Sequence, residues 1–260
     1  MSGLLHIQHL SKRFGGLQAL GDITLDVEEG QIFSIIGPNG AGKTTLFNVL
    51  TGVYRPDQGT ILFKNKRLHG LAPERIAQRG VGRTFQNIRL FGSMTVYENV
   101  LVGMHHLIRY NFLDTVFHTP RYFRAEKRAR IRTLELLDYM GLRERAFELA
   151  RNLPYGEQRR LEIARALALR PRLLLLDEPA AGMNPHETQG VTALIRRLRD
   201  DLNITMLLIE HHMQVVMEIS DRVAVLDYGR KIAEGAPAEV RRVPEVIEAY
   251  LGKGARTVHP

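Results

Sequence analysis

One buried strand that breaks into a glycine-rich loop constrains this chain more than any other feature. Gln31-Ile-Phe-Ser-Ile-Ile36 is a compact apolar run, the pattern of a strand covered on both faces. It leads directly into Gly37-Pro38-Asn39-Gly40-Ala41-Gly42-Lys43-Thr44. Lys43 to Leu50 then has helical character and stops near Gly52. The loop fits G-x-x-x-x-G-K-[ST] between a strand and a helix, the setting its chemistry needs. Glycines let backbone N–H groups curl around concentrated negative charge without Cβ obstruction. The helix N-terminus adds its positive dipole end. Lys43 supplies a point charge for β and γ phosphates, Thr44 a hydroxyl for Mg²⁺, and Thr45 completes the nucleotide-binding set. The expected ligand is a nucleoside triphosphate with its magnesium.

Two further apolar runs end on groups suited to that ligand. Leu173 to Leu176 ends on Asp177-Glu178-Pro179, and Ile204 to Ile209 ends on Glu210-His211-His212. Buried parallel strands deliver such residues to their C-terminal edge, where open α/β sheets bind ligands. Asp177 is placed to hold Mg²⁺ through water, and Glu178 to polarise an attacking water as general base. His211 is a candidate for hydrogen-bonding the γ phosphate or that water, with His212 an adjacent competitor that spacing does not exclude. Helical patterns between the strands, notably Gln189 to Leu202, imply a parallel sheet with helices on both faces. The first thirty residues alternate loosely, as exposed antiparallel strands do, and Arg222 to Leu226 with Lys231 to Ala233 reads as a hairpin. Residues 88–158 carry mostly helical signals, including one helix through Ile131, Leu134, Leu137 and Met140 that stops at Gly141.

Composition narrows the class. The 260 residues contain no cysteine, which excludes disulfides and thiolate metal sites and fits a reducing compartment. No apolar stretch approaches the roughly 18 residues of a spanning helix. Met1-Ser-Gly-Leu-Leu-His6 lacks a signal-peptide pattern, so the chain is expected to stay where it is made. Net charge is +8, and Arg121, Arg124, Lys127, Arg128, Arg130 and Arg132, against Glu126, contribute +5 of it. That stretch reads first as a solvated helix face, and second as a face near lipid headgroups or another partner. No recognition motif for nucleic acid accompanies it.

Asn152-Leu153-Pro154-Tyr155-Gly156-Glu157-Gln158-Arg159-Arg160-Leu161-Glu162-Ile163-Ala164-Arg165-Ala166-Leu167 resembles the signature of ABC ATPases, Leu-Ser-Gly-Gly-Gln, with its following helix. The Asn-Lys-x-Asp motif of GTPases is absent. The resemblance spans about residues 4–252 and implies a P-loop NTPase (RecA-like) α/β core with an antiparallel β subdomain and an inserted α-helical subdomain. The implied limits are a single ABC ATPase domain over 1–252: core about 1–87 and 159–235, helical subdomain about 88–158, C-terminal helix about 236–252, and a tail at 253–260. It also implies that Phe14 stacks on adenine, and that Gln86, in Arg83-Thr-Phe-Gln-Asn87, touches Mg²⁺ and water and links to a membrane partner. Leu153, Pro154, Tyr155, Gly156 and Glu157 are expected to face ATP held by an opposite subunit, so two ATPase subunits form the complete sites.

Within the family, Gly-Arg-Thr-Phe-Gln-Asn-Ile-Arg-Leu-Phe (82–91), the basic insert, Tyr155, Asp-Glu-Pro-Ala-Ala-Gly-Met-Asn-Pro (177–185) and Ile-Glu-His-His-Met (209–213) look like the larger ATPase subunit of bacterial branched-chain amino acid importers. Such importers contain a second ATPase, two membrane permease subunits and a periplasmic binding protein. This implies a peripheral position on the cytoplasmic face of the inner membrane. Another transporter, of lipid or urea/amide type, is the alternative. A soluble ABC ATPase acting on ribosomes or nucleic acid usually has two cassettes or a long coiled coil, and neither is seen here. Ile88, Leu90, Phe91, Met94 and Val96 suit docking of permease helices. Pro154 stands where the family pattern has serine, Tyr155 where it has glycine, and Asn184 where aspartate is usual. Loss of a hydroxyl and an N–H at 154 points to a slow site wherever this signature meets a partner's phosphate loop.

Overall fold

A computed structural model describes residues 3–105, 114 and 116–251. Among these the chain forms ten strands and nine α-helices. In order they are β1 Gly3–Phe14, β2 Leu17–Glu28, β3 Ile32–Ile36, α1 Lys43–Leu50, β4 Gln58–Phe63, β5 Lys66–Arg67, α2 Pro73–Gln78, β6 Val81–Arg83 and α3 Val96–Gly103. There follow α4 Pro120–Tyr139, α5 Tyr155–Ala168, β7 Leu173–Asp177, α6 Pro185–Leu202, β8 Thr205–Ile209, α7 Met213–Ile219, β9 Arg222–Asp227, β10 Arg230–Gly235, α8 Pro237–Val240 and α9 Pro244–Leu251. They fall into two compact units, one built from the residues up to Arg83 and from Arg172 onward, the other from Thr84–Pro171.

The first unit holds both sheets. One has the order β10-β9-β3-β8-β7-β6, parallel except for β10, which pairs antiparallel with β9. Every residue of β3, β7 and β8 is buried, which is why each reads as an unbroken apolar run. Ile209 of β8 pairs with Ile35 on one side and Asp177 on the other. The residues that follow these three strands therefore emerge at one edge of the sheet. The second sheet, β2-β1-β4-β5, is antiparallel. The expectation of exposed strands at the N-terminus is corrected here. Leu5, Ile7, Leu25 and Val27 share one buried cluster with Phe33 and Ile35 of β3 and with Leu46 and Phe47 of α1. Side chains of both sheets thus share one core with α1.

Helix limits follow local chemistry. α6 starts at Pro185, earlier than the expected Gln189, because Asn184 caps it: its side chain accepts from the Glu187 amide while Glu187 returns to the Asn184 amide. The C-terminal segment expected as one helix over 236–252 is two, α8 and α9, broken ahead of Pro244, which has no amide to continue the ladder. The tail 253–260 lies outside the described residues.

In the second unit α3 packs on α4 and α5. Thr95 and Glu98 form a capping box at the start of α3. α4 buries Ala129, Thr133 and Leu137, and its six basic residues are exposed. It ends where expected, with Met140 as C-cap and Gly141 at φ 66°. Residues 159–171, expected in the α/β core, belong to this unit, in which α5 packs against α3 and α4. Thr84 to Asn87 belong to it as well.

Candidate ATP site

The glycine-rich loop leaves β3 at its buried end. Gly37 has φ 146°, and a Cβ there would overlap the carbonyl oxygen of Leu226 at the end of β9. Gly42, the N-cap of α1, has φ 99°, and a Cβ would lie 2.5 Å from the Ala19 carbonyl of β2. The loop is thus seated on neighbouring backbone, with Ala41 buried and Asn39 and Gly40 exposed. Lys43 Nζ donates to the carbonyls of Gly37 (2.7 Å) and Pro38 (2.9 Å), which holds the ammonium in the loop's concavity. Burial pushes Lys43 below the usual lysine range, while the Glu178 and Asp177 carboxylates act the other way. That Coulomb coupling places the strand-end acids beside the loop. Thr44 is exposed at the first turn of α1, and Thr45 is half-buried.

Asp177 is the buried last residue of β7. Its Oδ2 accepts from Arg83 Nη2 at 3.1 Å. Arg83 Nη1 donates to Asn48 (2.7 Å) and Thr51 (3.0 Å) on α1 and just beyond it, and its guanidinium lies over the Phe47 ring. Sequence reading missed Arg83, which had signalled only the start of the glutamine motif. Its partner Asp177 is 94 positions away.

Glu178 follows with φ 48°, a left-handed backbone that a non-glycine residue rarely adopts. Its amide donates to the Ile209 carbonyl at 2.9 Å, which fixes the turn to the end of β8. His211 Nδ1 lies 3.5 Å from Glu178 Oε1, whereas His212 Nδ1 lies 3.4 Å from Glu210 Oε2. The choice that spacing left open is resolved to this extent: His211 is the histidine beside Glu178. Glu210, also missed, is wholly buried. One oxygen accepts from the Ala180 amide (3.1 Å), the other from the amides of His211 (3.0 Å) and His212 (3.3 Å). An acid at the end of an apolar strand was visible in the sequence. Its bridging of two loops was not.

Phe14, the last residue of β1, is 40% exposed and meets Tyr54 edge-on with ring centroids 5.0 Å apart. Lys12 Nζ lies 5.3 Å from the Phe14 ring. Tyr54 is a third residue that the sequence did not single out. An exposed aromatic face of this kind can stack on a heterocycle.

The remaining candidates lie in the second unit. The Gln86 side chain is exposed, and its carbonyl accepts from Arg159. Pro154 is the N-cap of α5 (φ −54°, ψ 152°) and makes no side-chain cap. Leu153 is buried, Tyr155 exposed, and Gly156 and Glu157 half-buried. Glu157 forms an ion pair with Arg145 at 2.9 Å. Of the apolar residues expected to suit docking, Val96 is core, while Phe91 is exposed beside Arg165.

Comparison with known proteins agrees with this geometry. The ABC transporter family matches residues 20–181, and the branched-chain amino acid ATP-binding cassette transporter family matches residues 230–256. The chain is 50% identical over 250 residues to the high-affinity branched-chain amino acid transport ATP-binding protein BraF of Pseudomonas aeruginosa, covering 96% of this chain and 98% of that protein. It is 49% identical, with the same coverage, to LivG of Escherichia coli, described in the same words. A crystal structure of a nucleotide-free ATP-binding cassette from an ABC transporter superposes with a TM-score of 0.83 at 31% identity, covering 96% of this chain and all of the other. The ADP form of the cassette MJ1267 gives 0.82 at 31% identity, covering 97% and 100%. With one family spanning most of the core and relatives half-identical across nearly the whole length, the chain belongs to the ABC transporter family and is one of its ATP-binding cassette ATPases.

Proposed function

We propose that this chain hydrolyses ATP to ADP and phosphate and so drives a membrane importer for branched-chain, hydrophobic amino acids. The observation that carries the proposal is the 50% identity, over 96% of the chain, to an ATP-binding protein of high-affinity branched-chain amino acid transport. In this reading the phosphate loop holds the triphosphate, with Lys43 on the β and γ phosphates and Phe14 under the adenine. Glu178 takes the proton of the attacking water, and His211, 3.5 Å from it, orients that water or the γ phosphate. The left-handed backbone of Glu178, tied by its amide to the Ile209 carbonyl, fixes where its side chain leaves the strand end.

The residues present suit Mg²⁺. Hydroxyl and carboxylate oxygens are the hard donors it takes, and Thr44 and Asp177 supply them, with Gln86 as the third candidate. Among the described residues no group of three or more acids and histidines gathers to hold a metal. Such a cation also takes oxygens from the phosphates it accompanies. When bound, it neutralises phosphate charge as the terminal group leaves.

Leu153, Pro154, Tyr155, Gly156 and Glu157, at the start of α5, are read as facing the nucleotide of a second ATPase subunit. Two permeases and a periplasmic binding protein complete the system, and nucleic acid has no part in it. Among the described residues no helix is long and apolar enough to cross a membrane. The likeness to transport ATP-binding proteins supports a peripheral position on the cytoplasmic side of the membrane. Reconstitution with the permeases and the second ATPase tests this: Lys43→Ala is expected to abolish ATP binding at this chain's loop and amino acid uptake together. Unchanged uptake with Lys43→Ala would overturn the proposal.

A further inference from the structure

The segment that carries Gln86 is held by two buried side chains of α5. Arg159 and Glu162 are 0% and 1% exposed. Arg159 Nη1 donates to Glu162 Oε2 (2.8 Å) and to the Phe85 carbonyl (2.6 Å), and Nη2 donates to the Gln86 carbonyl (2.8 Å). Glu162 Oε1 accepts from the amides of Phe85 (3.3 Å) and Arg89 (3.2 Å). One turn further along the same ridge, Arg165 donates to the Arg89 carbonyl and stacks on Phe91 at 5.2 Å. Two carbonyls and two amides of the segment are thus bound by a single ion pair.

Burying an ion pair costs more than it returns unless its remaining donors and acceptors are satisfied. Here backbone groups of residues 85, 86 and 89 do most of that. Burial alone pushes the Glu162 carboxyl above the usual carboxylate range, and Arg159, together with the Arg89 and Phe85 amides, opposes it. A packed apolar pair would fill the same space without fixing the segment. The charged pair therefore has a use that stability does not explain.

We infer that Arg159 and Glu162 are positioning residues that lock the Gln86 segment to α5, the helix whose first turn carries the signature. This inference rests on the roles proposed for Gln86 and the signature. The lock holds the backbone of Gln86 and leaves its side chain exposed. A push on the 85–89 segment moves the helix start with it, and a nucleotide engaged at that helix start moves the segment in return. Two functions of the second unit are thereby joined by four hydrogen bonds rather than by loop flexibility.

The test uses the full-length chain in its reconstituted complex. Arg159→Met combined with Glu162→Leu replaces the pair by apolar groups of similar volume and withdraws these partners from the Phe85 and Gln86 carbonyls and the Phe85 and Arg89 amides. It is expected to fold and to bind ATP within about twofold of the unaltered chain, while kcat falls about tenfold or more with KM little changed. Amide exchange at Phe85 and Arg89 should accelerate about tenfold or more. Arg159→Lys keeps the charge but cannot span both carbonyls, and should lower kcat in the same direction. In the unaltered chain, the Phe85 and Arg89 amides should exchange as slowly as those of α5. Rapid exchange there, or a folded double variant with kcat within about twofold, overturns the inference. Gln86→Ala separates the two levels. If it leaves kcat intact, the reading of Gln86 falls and the inference with it. If it lowers kcat while the folded double variant does not, only the lock is disproved.

Discussion

Glu178 and His211 face each other across the ends of two adjacent parallel strands, with 3.5 Å between Oε1 and Nδ1. The carboxylate is also one of two acids that support the Lys43 ammonium. Glu178→Gln should therefore do two things. Turnover falls about 10²–10⁴-fold while ATP still binds, as expected when a general base is lost. The pKa of Lys43, already depressed by burial, falls further, because one opposing charge is gone. Single-turnover hydrolysis checks the first outcome. The pH dependence of Lys43 acylation checks the second.

The two histidines should separate cleanly. His211→Ala is expected to lower turnover about 10²-fold or more with little change in ATP affinity. His212 instead faces Glu210 from the N-cap position of α7, where its side chain makes no cap, so His212→Ala should leave turnover within about threefold. Equal losses from both would remove the assignment of His211.

Arg83 and Asp177 form a buried pair whose side chains are only 7% and 3% exposed. Arg83→Met takes away the arginine from that carboxylate and two further hydrogen bonds to α1 and its end. The expected cost is about 3 kcal/mol, read as a lower urea midpoint at constant slope. A loss of activity without any loss of stability would contradict this.

How far the fold was legible depended on burial. β3, β7 and β8 stood out because strands covered on both faces are continuous apolar runs, and the residues bound for the site follow directly after them. β6 did not, since three residues, one of them glycine and one arginine, carry no period. The strand, glycine-rich loop and helix from Ile32 to Leu50 were legible from residue type and spacing alone. Arg83 and Glu210 were not, because their partners Asp177 and the Ala180 amide lie 94 and 30 positions away, and only strand pairing brings them together. The limits of the helical unit were misjudged at α5. Its place directly before β7 suggested the α/β core, while its packing binds it to α3 and α4.

His69 gives the second sheet a pH dependence. Its Nδ1 accepts from the Ile61 amide at 2.9 Å, so the neutral ring is the form the fold uses. Burial holds its pKa below the ordinary histidine value, with Arg67 acting the same way and the Ile61 carbonyl opposing. A lowered folded value means that the unfolded chain takes up the proton first. The stabilisation is therefore fully present above the unfolded value of about 6.5 and is lost as pH falls through it towards the folded value. Melting temperature should drop between about pH 7.5 and 5, and less steeply in His69→Gln. Parallel slopes for the two proteins would exclude His69 as the source.

Pro154→Ser tests the slow-site expectation. Position 154 has N-cap geometry, so serine can accept from the Glu157 amide and present a hydroxyl to a facing phosphate. Stability should change by less than about 1 kcal/mol, since the gained cap is offset by the proline's lost restriction of the unfolded chain. ATP turnover of the assembled complex should rise severalfold. An unchanged rate would mean that the proline is a tolerated variant.

The seat of Gly37 against the Leu226 carbonyl has a further consequence. A loop wedged on β9 and β2 takes its shape when the sheets close, so the entropy of ordering it is spent during synthesis and folding, long before any nucleotide arrives. Each catalytic cycle then begins with a cradle that is already formed, and the energy of gripping the triphosphate remains free to move the partners.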